Sequence, residues 1–233
     1  MIVVGIDTST SQTSVAIGTE HEILAKASVA GAARQESVTP LLQELLRRSD
    51  LELSQVAGVA VGIGPGLFTG LRVGVETAKT LAQVAAVPIV GITSLDALAH
   101  PVRHTSRVIV AVIDARRGEV FSAIYRAVPG GVVRDRGYEV HAPDRLAAEL
   151  QAMPGEMLAV GNGAMLYRHV LDDIGSRVEF ASSISAHPEA AALVELAVPR
   201  FMREEHDRSF DVVPLYMRKS DAEIAWDRRA RGA

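Results

Sequence analysis

The chain has 233 residues, of which 48% are hydrophobic and 22% charged, values typical of a globular protein and not of a disordered one. It contains no cysteine, which excludes disulfides, thiolate metal sites and cysteine nucleophiles. A net charge of −4 excludes the basic footprint of a protein that binds nucleic acid unaided, so any role in RNA chemistry requires a more basic partner. The N-terminus lacks a basic leader, and no stretch reaches the roughly 18 apolar residues of a membrane helix, so we predict a cytoplasmic protein without membrane contact.

The first half of the sequence predicts an α/β unit. Alternating apolar residues indicate strands at Ile2–Ile6 and Ser14–Gly18, joined by a polar turn, and a third strand around Ile23–Ser28. A loop follows at 31–36, and Ser37 is a suitable helix cap. Apolar spacing then predicts a helix with apolar positions 38, 41, 42, 45 and 46. Apolar runs and helix breakers predict four further elements: a strand at Val56–Ile63, a helix from about Thr69 to Ala85, a strand at Ile89–Ile92 and a short helix from Ser94 to about His100.

The second half repeats this plan. The apolar run Val108–Ile113 ends in an acid, Asp114, as the first strand ends in Asp7, and an alternating strand follows. A later strand opens on a glycine turn and a helix, in the same order as in the first half, which indicates a duplication. We therefore predict lobes at 1–104 and 105–220 and a flexible tail at 221–233. Further predictions are a strand at Glu119–Tyr125, a strand at Met157–Val160 with a helical stretch through Leu171, and a helix at Pro188–Val198 that Pro199 kinks or ends.

The turn after the first strand is the first candidate site. Asp7, Thr8 and Ser9 offer a carboxylate, hydroxyls and backbone N–H groups, which can hold a phosphate with its Mg²⁺. Local hydrogen bonds of an Asx or Ser/Thr turn explain the same residues. The mirrored acid Asp114 favours a nucleotide cleft between two lobes, so these four residues form a candidate phosphate site, functional or vestigial.

A glycine-rich run at 62–70 precedes a helix and is the second candidate. A helix N-terminus of this kind binds anions readily. No Gly-Lys-Ser/Thr follows, so the run is not a P-loop, and Pro65 removes one donor N–H. Close packing of the helix against the strand is an equally good interpretation.

Other groups give weaker signals. His100 and His104 have the spacing of a chelating pair, but Pro101 and the connector position argue against it, so we predict no metal site. Neither a Gly-x-Ser-x-Gly elbow nor a zincin motif is present, so the sequence does not support hydrolase chemistry. Arg116 and Arg117 suit a solvated turn or an anionic group on a partner.

Two helices carry a candidate partner surface. At helical spacing their apolar residues are more often core than interface, yet the first helix is apolar over a wide arc and the second is rich in small residues. We predict that they form a self-complementary or heterodimeric contact. The predicted interface residues are Val38, Leu41, Leu42, Leu45, Leu46, Leu71 and Val75.

Four segments resemble signatures of the TsaB (YeaZ) family, in family order and over nearly the whole chain. They are Val4–Thr10, Gly64–Gly74, Asp114–Val120 and Pro214–Arg218. The resemblance implies an actin-like ATPase (ribonuclease H-like) α/β fold, duplicated in two lobes. The chain departs from the family pattern at two positions. Leu67 stands where serine is common, which weakens the case for a phosphate contact there. Histidine is common near Gln35, and its absence here argues against a histidine-based role at that position.

The resemblance also implies a role in making threonylcarbamoyladenosine, the modified adenosine next to the anticodon of certain tRNAs. It implies a heterodimer with the paralogue TsaD, which carries the metal and the transfer step, and an association with the ATPase TsaE. The chain itself is expected to be a non-catalytic scaffold without a cofactor, a homodimer when alone, and in contact with tRNA only through the complex. The paralogue's metal-binding histidines match Ser94 and Leu98 here, which excludes a metal-dependent transferase at those positions.

Two other functions compete with the scaffold. The first alternative is an ATPase or small-molecule kinase that uses Asp7 and Asp114 across the cleft. The second is a peptidase that acts on the partner, for which the sequence offers no nucleophile constellation. The sequence leaves open which of Arg72, Arg116 and Arg117 contacts tRNA or a partner.

Overall fold

The computed structural model describes residues 1–31 and 37–218. The predicted flexible tail, Gln35 and most of the predicted loop at 31–36 lie outside these ranges. Within them, no helix is both long and apolar enough to cross a membrane.

The first lobe is built on a five-stranded sheet with the order β3-β2-β1-β4-β5. Its central strand β1 pairs antiparallel with β2 and parallel with β4. The lobe's elements up to the connector are β1 (Ile2–Asp7), β2 (Gln12–Gly18), β3 (Ile23–Ala30), α1 (Val38–Arg48), β4 (Val56–Gly64), α2 (Phe68–Ala85), β5 (Ile89–Thr93) and α3 (Ser94–Ala99).

The second lobe has a six-stranded sheet with the order β11-β10-β6-β7-β8, and β9 also pairs with β7. Strand β6 pairs antiparallel with β7 and parallel with β10, which repeats the pairing of β1 with β2 and β4. The duplicated plan predicted from the sequence is therefore present in the backbone. The elements are β6 (Val108–Arg116), β7 (Glu119–Val128), β8 (Gly131–Arg134), β9 (Glu139–His141), α4 (Pro143–Ala152), β10 (Met157–Val160), α5 (Asn162–Leu166), α6 (Arg168–Leu171), β11 (Val178–Phe180) and α7 (Ala190–Met202).

Helix α7 follows the second sheet in sequence but packs on the first. Leu193 and Val194 are fully buried in one cluster with Val3 and Ala60 of the first sheet, whose other face is covered by α1 and α2. The predicted lobe boundary at 105–220 is therefore wrong for this helix. Sequence order suggested the boundary, whereas the uncovered apolar face of the first sheet determines where the helix packs.

Of the two predicted effects of Pro199, a kink or the end of the helix, the structure excludes the end. The helix continues to Met202, although the proline nitrogen has no N–H to donate to the carbonyl of Glu195. Val198 and Phe201, on either side of the proline, are buried against the first sheet. Their burial offsets the missing hydrogen bond, whose loss with the ring clash costs about 3 kcal/mol in an isolated helix.

Helix α3 joins the two lobes through side-chain hydrogen bonds. Asp96 accepts one from the hydroxyl of Tyr125 at 2.7 Å and one from that of Tyr138 at 3.0 Å. Thr93 lies 3.0 Å from the same Tyr138 hydroxyl. Burial, followed by the charge of Asp96, raises the pKa of Tyr125, so its hydroxyl stays protonated and remains a donor.

Residues 207–218 return the chain across both lobes. The backbone N–H of Asp207 bonds to Ile89, and that of Leu215 donates to the carbonyl of Ile63 at 2.7 Å. Arg218 then donates to Glu119 of the second lobe at 2.8 Å. This segment therefore forms hydrogen bonds with the end of β4 in the first lobe and with the first residue of β7 in the second lobe.

Candidate functional site: the Asp7 turn, its glycine motif and the start of helix α2

Asp7 ends β1 and is only 1% exposed. Its Oδ1 accepts hydrogen bonds from the backbone N–H of Ser9 at 3.0 Å and from the Ser9 hydroxyl at 2.8 Å. Its Oδ2 is buried without a hydrogen-bond partner among the described residues. Burial raises the pKa of Asp7 to about 6, and the two bonds from Ser9 lower it in part. The turn therefore provides hydrogen bonds to Oδ1 of the carboxylate, whereas Oδ2 has no hydrogen-bond partner among the described residues.

The loop between β4 and α2 lies directly on this turn. The backbone N–H of Leu67 donates to the carbonyl of Ser9 at 2.7 Å, and the Thr8 hydroxyl donates to the carbonyl of Gly70 at 2.7 Å. A Cβ added to Gly66 would lie 2.1 Å from the Ser9 carbonyl oxygen. The loop thus occupies the Thr8 hydroxyl, the donor of the pair that a phosphate would otherwise use.

Two further glycines complete this close packing. A Cβ added to Gly62 would lie 2.0 Å from Asp7 Oδ2, and one added to Gly74 would lie 2.1 Å from the Thr8 hydroxyl oxygen. The buried oxygen of Asp7 therefore faces the backbone of β4. Of the two interpretations of the glycine motif, the geometry supports close packing of strand, loop and helix.

We expect Gly66→Ala to destabilise the chain by about 2 kcal/mol, because the new methyl group meets a backbone oxygen that cannot move alone. Urea unfolding monitored by circular dichroism measures this difference. Gly137→Ala is the matched control, since nothing lies within 4 Å of a Cβ at that position. Equal stability of the two variants would contradict the packing role of the motif.

Asp114 holds the equivalent place at the end of β6 and is 8% exposed. Its Oδ1 accepts from the backbone N–H of Arg116 at 2.8 Å, and its Oδ2 lies 3.3 Å from the same residue's guanidinium. Its own N–H donates to Asn162 at 3.1 Å. The second acid is thus engaged by its own turn and not by a shared site with Asp7.

His100, one of the two histidines with chelating spacing at which we predicted no metal site, is in contact with helix α7. His100 is 6% exposed and lies 2.9 Å from Glu195 of α7 through Nε2, while Nδ1 is buried without a partner among the described residues. This pair ties the end of α3 to α7. Ser94 and Leu98, which match the paralogue's histidines, are buried as well.

The predicted partner interface needs correction. Five of its residues are at most 7% exposed, and the other two are half-buried against the same core. The apolar arc of the helices faces the first sheet, so the five buried side chains are not available to a partner, whereas the two half-buried ones keep part of their surface exposed. The buried five are Val38, Leu42, Leu45, Leu71 and Val75, and the half-buried two are Leu41 and Leu46. Contact through the outer faces of α1 and α2 stays a prediction.

A surface group at the start of α2 was missed. The rings of Phe68 and Tyr216 stack with centroids 4.7 Å apart, and the Arg72 guanidinium lies 4.2 Å from the Phe68 ring centre. Arg72 Nε also donates to the Tyr216 hydroxyl at 3.0 Å. We call these three residues the aromatic–arginine stack. Its signal in the sequence was an aromatic residue in each of two motifs far apart in the chain.

One cavity among the described residues lies away from the two acids. A cavity of about 570 Å³ lies between the lobes, lined by β3, α3, α7 and the segment before α7. Its lining includes Leu24, Leu98 and Ile184 but neither Asp7 nor Asp114.

A serine–histidine pair in the second lobe bears on the peptidase alternative. Ser122 Oγ lies 2.9 Å from His141 Nε2, which is the spacing of a nucleophile and its base. Both residues are at most 5% exposed, so a peptide carbonyl cannot reach the hydroxyl. The pair therefore does not form an accessible nucleophile.

Comparison with known proteins shows the family to which the chain belongs. Residues 25–226 match the family model described as "TsaD: tRNA N6-adenosine threonylcarbamoyltransferase". The chain is 30% identical to the tRNA threonylcarbamoyladenosine biosynthesis protein TsaB of Bacillus subtilis, over 97% of this chain and 98% of that protein. The solved structure of YeaZ from Pseudomonas aeruginosa matches with a TM-score of 0.78 and 25% identity, covering 92% of this chain and 100% of that one.

A more distant structure extends the fold comparison. The ROK hexokinase of Thermus thermophilus matches with a TM-score of 0.51 at 14% identity, over 88% of this chain and 100% of that one, and supports the fold alone. The predicted duplicated, actin-like α/β fold is confirmed. With the family model and the relatives in agreement, the chain belongs to the TsaB (YeaZ) family, within the wider threonylcarbamoyltransferase family.

Proposed function

We propose that this chain acts in tRNA threonylcarbamoyladenosine biosynthesis, in the cytoplasm, as a non-catalytic subunit that dimerises with TsaD. The name of its Bacillus subtilis relative supports the pathway. The main support for the non-catalytic role is the close packing of the glycine motif against the Asp7 turn, because the motif occupies the space beside the Asp7 carboxylate. The proposal includes TsaE as a further partner, tRNA contact only through the complex, and a homodimer when the chain is alone.

The Asp7 turn is a poor phosphotransfer site as it stands. Phosphoryl transfer relies on charged groups and Mg²⁺ positioned at the phosphates, and a protein usually holds Mg²⁺ through one or two ionised carboxylates together with phosphate oxygens and water. Here Oδ1 is held by Ser9, Oδ2 faces Gly62, and burial disfavours the ionised form of Asp7. These three properties support a structural use of the turn.

The aromatic–arginine stack is the contact that we propose for TsaD. Tyrosine and arginine are enriched among the residues that dominate binding energy at protein interfaces. Arg72 is exposed and Tyr216 is 42% exposed, so both are accessible in the isolated chain. Outward-facing residues of α1 and α2 extend this surface, and they are Thr39, Pro40, Gln43, Thr69, Glu76, Thr80, Gln83 and Val84.

We expect Arg72→Glu to weaken the complex with TsaD at least tenfold, because it reverses a charge and removes the two contacts that Arg72 makes within the stack. Size-exclusion chromatography with light scattering, followed by titration calorimetry, measures complex formation and affinity. Arg168→Glu is the matched control: it removes an exposed arginine that lies 4.5 Å from the Phe180 ring centre in the other lobe. Equal loss of affinity in both variants, or none in either, would contradict the assigned surface.

The enzyme alternative is tested with the same protein preparations. Hydrolysis of Mg-ATP by the isolated chain that disappears in Asp7→Asn would overturn the non-catalytic proposal. Hydrolysis that persists unchanged in that variant would indicate a contaminant and leave Asp7 without a catalytic role.

A further inference from the structure

Three side chains that can bind a metal ion converge on one face of the second sheet. They are Glu139 and His141 of β9 and Glu149 of α4. One potential ligand atom from each lies within 4.8 Å of the other two. The site is separate from the Asp7 turn and from the aromatic–arginine stack, and it was not predicted from the sequence because β9 and α4 were not predicted.

The strand register explains why these groups meet. Glu139 and His141 are two positions apart on β9 and so project from the same face. Glu139 pairs with Ser122 of β7, which places that serine on the same face beside the imidazole. Helix α4 covers this face through Leu146 and Leu150, which belong to one buried cluster with Val120 of β7. Because α4 lies on this face of the sheet, the side chain of Glu149 lies close to Glu139 and His141 of β9.

The imidazole of His141 is held in place, as the imidazole of a metal ligand usually is. It is 5% exposed, with Nε2 2.9 Å from the Ser122 hydroxyl and Nδ1 3.3 Å from the Ala142 carbonyl. A metal-binding histidine normally keeps one ring nitrogen on such a partner while the other binds the ion. Here either nitrogen retains a partner when the other is used.

The charges around the site favour a cation. Glu149 forms an ion pair with Arg136, and their side chains are 20% and 49% exposed. Within residues 1–31 and 37–218, Glu139 makes no ion pair. The exposed guanidinium of Arg136 thus pairs with Glu149 and not with Glu139, so the two half-buried carboxylates and this guanidinium leave a net negative charge beside the imidazole of His141.

We propose that Glu139, His141 and Glu149 form a Zn²⁺ site that ties β9 to α4. Zn²⁺ binds both imidazole nitrogen and carboxylate oxygen and has no geometric preference from its d electrons. Mg²⁺ and Ca²⁺ prefer oxygen ligands only, so the buried histidine selects against them. Binding requires Glu149 to exchange at least part of its contact with Arg136 for the ion.

Titration calorimetry of the tag-free chain with Zn²⁺, and separately with Mg²⁺, tests this site. We expect one Zn²⁺ per chain at micromolar affinity and no detectable Mg²⁺ binding. Glu139→Gln and His141→Ala should each weaken Zn²⁺ binding at least tenfold. Arg136→Gln should bind Zn²⁺ as tightly as the unsubstituted chain or more tightly, because it removes the competing cation.

Two controls keep the outcome clear. His169→Ala removes an exposed histidine elsewhere and should leave Zn²⁺ binding unchanged. Circular dichroism establishes that each variant is folded, and Glu139→Gln, at a half-buried position, decides the matter where His141→Ala does not fold. Zn²⁺ binding that survives Glu139→Gln in full, that is lost equally in His169→Ala, or that is absent from the unsubstituted chain would overturn the proposal.

Discussion

Leu45→Asp is expected to unfold the first lobe and not merely to release a partner. Leu45 is 6% exposed and lies in the cluster formed by α1, α2 and the first sheet. The substitution removes a buried leucine, worth about 1.5–3 kcal/mol, and places an unpaired carboxylate in its position. We expect a loss of about 4 kcal/mol or more in the free energy of unfolding, measured by urea titration with circular dichroism.

Gln43→Asp, on the exposed side of the same helix, is the control and should change stability by no more than about 0.5 kcal/mol. A Leu45→Asp chain that is folded and monodisperse but fails to bind TsaD would contradict this prediction. It would show that the core side of α1 opens to form the interface, and the burial described above would then not hold in the complex.

Asp7→Asn should remove a pH-dependent loss of stability. The pKa of Asp7 rises from 3.8 to about 6 on folding, so between these values the folded chain binds more protons than the unfolded chain. The stabilisation by the protonated form is therefore complete below pH 4 and is lost as the pH rises through 6. At about 1.4 kcal/mol per pKa unit, the loss approaches about 3 kcal/mol at pH 8.

The measurement is the free energy of unfolding from pH 4 to pH 8 for the unsubstituted chain and for Asp7→Asn. The difference between the two should change by up to about 3 kcal/mol in favour of the variant as the pH rises. Asp173→Asn, which replaces an exposed aspartate, should follow the unsubstituted chain at every pH. Parallel curves for Asp7→Asn and the unsubstituted chain would show that Asp7 is ionised at low cost, as a Mg²⁺ ligand would need to be.

Strong local patterns allowed the sequence to predict much of the fold. Strand Met157–Val160 and helix Val38–Arg48 coincide with the predicted segments, because a bounded apolar run and a regular apolar stripe both have a characteristic period. Helix α4 was missed because it buries few residues, chiefly Leu146 and Leu150, so its stripe is weak. Strand β9 has three residues and exists through its pairing with β7. Such pairing depends on residues distant in sequence.

The site was harder to predict than the fold. Glycine at 62, 66 and 74 fits both a phosphate cradle and a tight contact, and only the position of the neighbouring atoms distinguishes them. The broad apolar arc of α1 led to the prediction that Leu42 and Leu45 contact a partner, because an apolar stripe does not indicate whether the surface that covers it belongs to the same chain. The aromatic–arginine stack joins Phe68 to Tyr216, and no local pattern connects positions so far apart.

The placement of α7 also affects the order in which the chain can mature during synthesis. The ribosome makes the first sheet early, yet the face that carries Val3, Ala16 and Ala60 packs against α7, a helix that ends at Met202. All of the second sheet is translated in between. The nascent first lobe therefore exposes an apolar surface while residues 94–202 are made, and we expect a chain released before α7 emerges to be a substrate for chaperones and proteases.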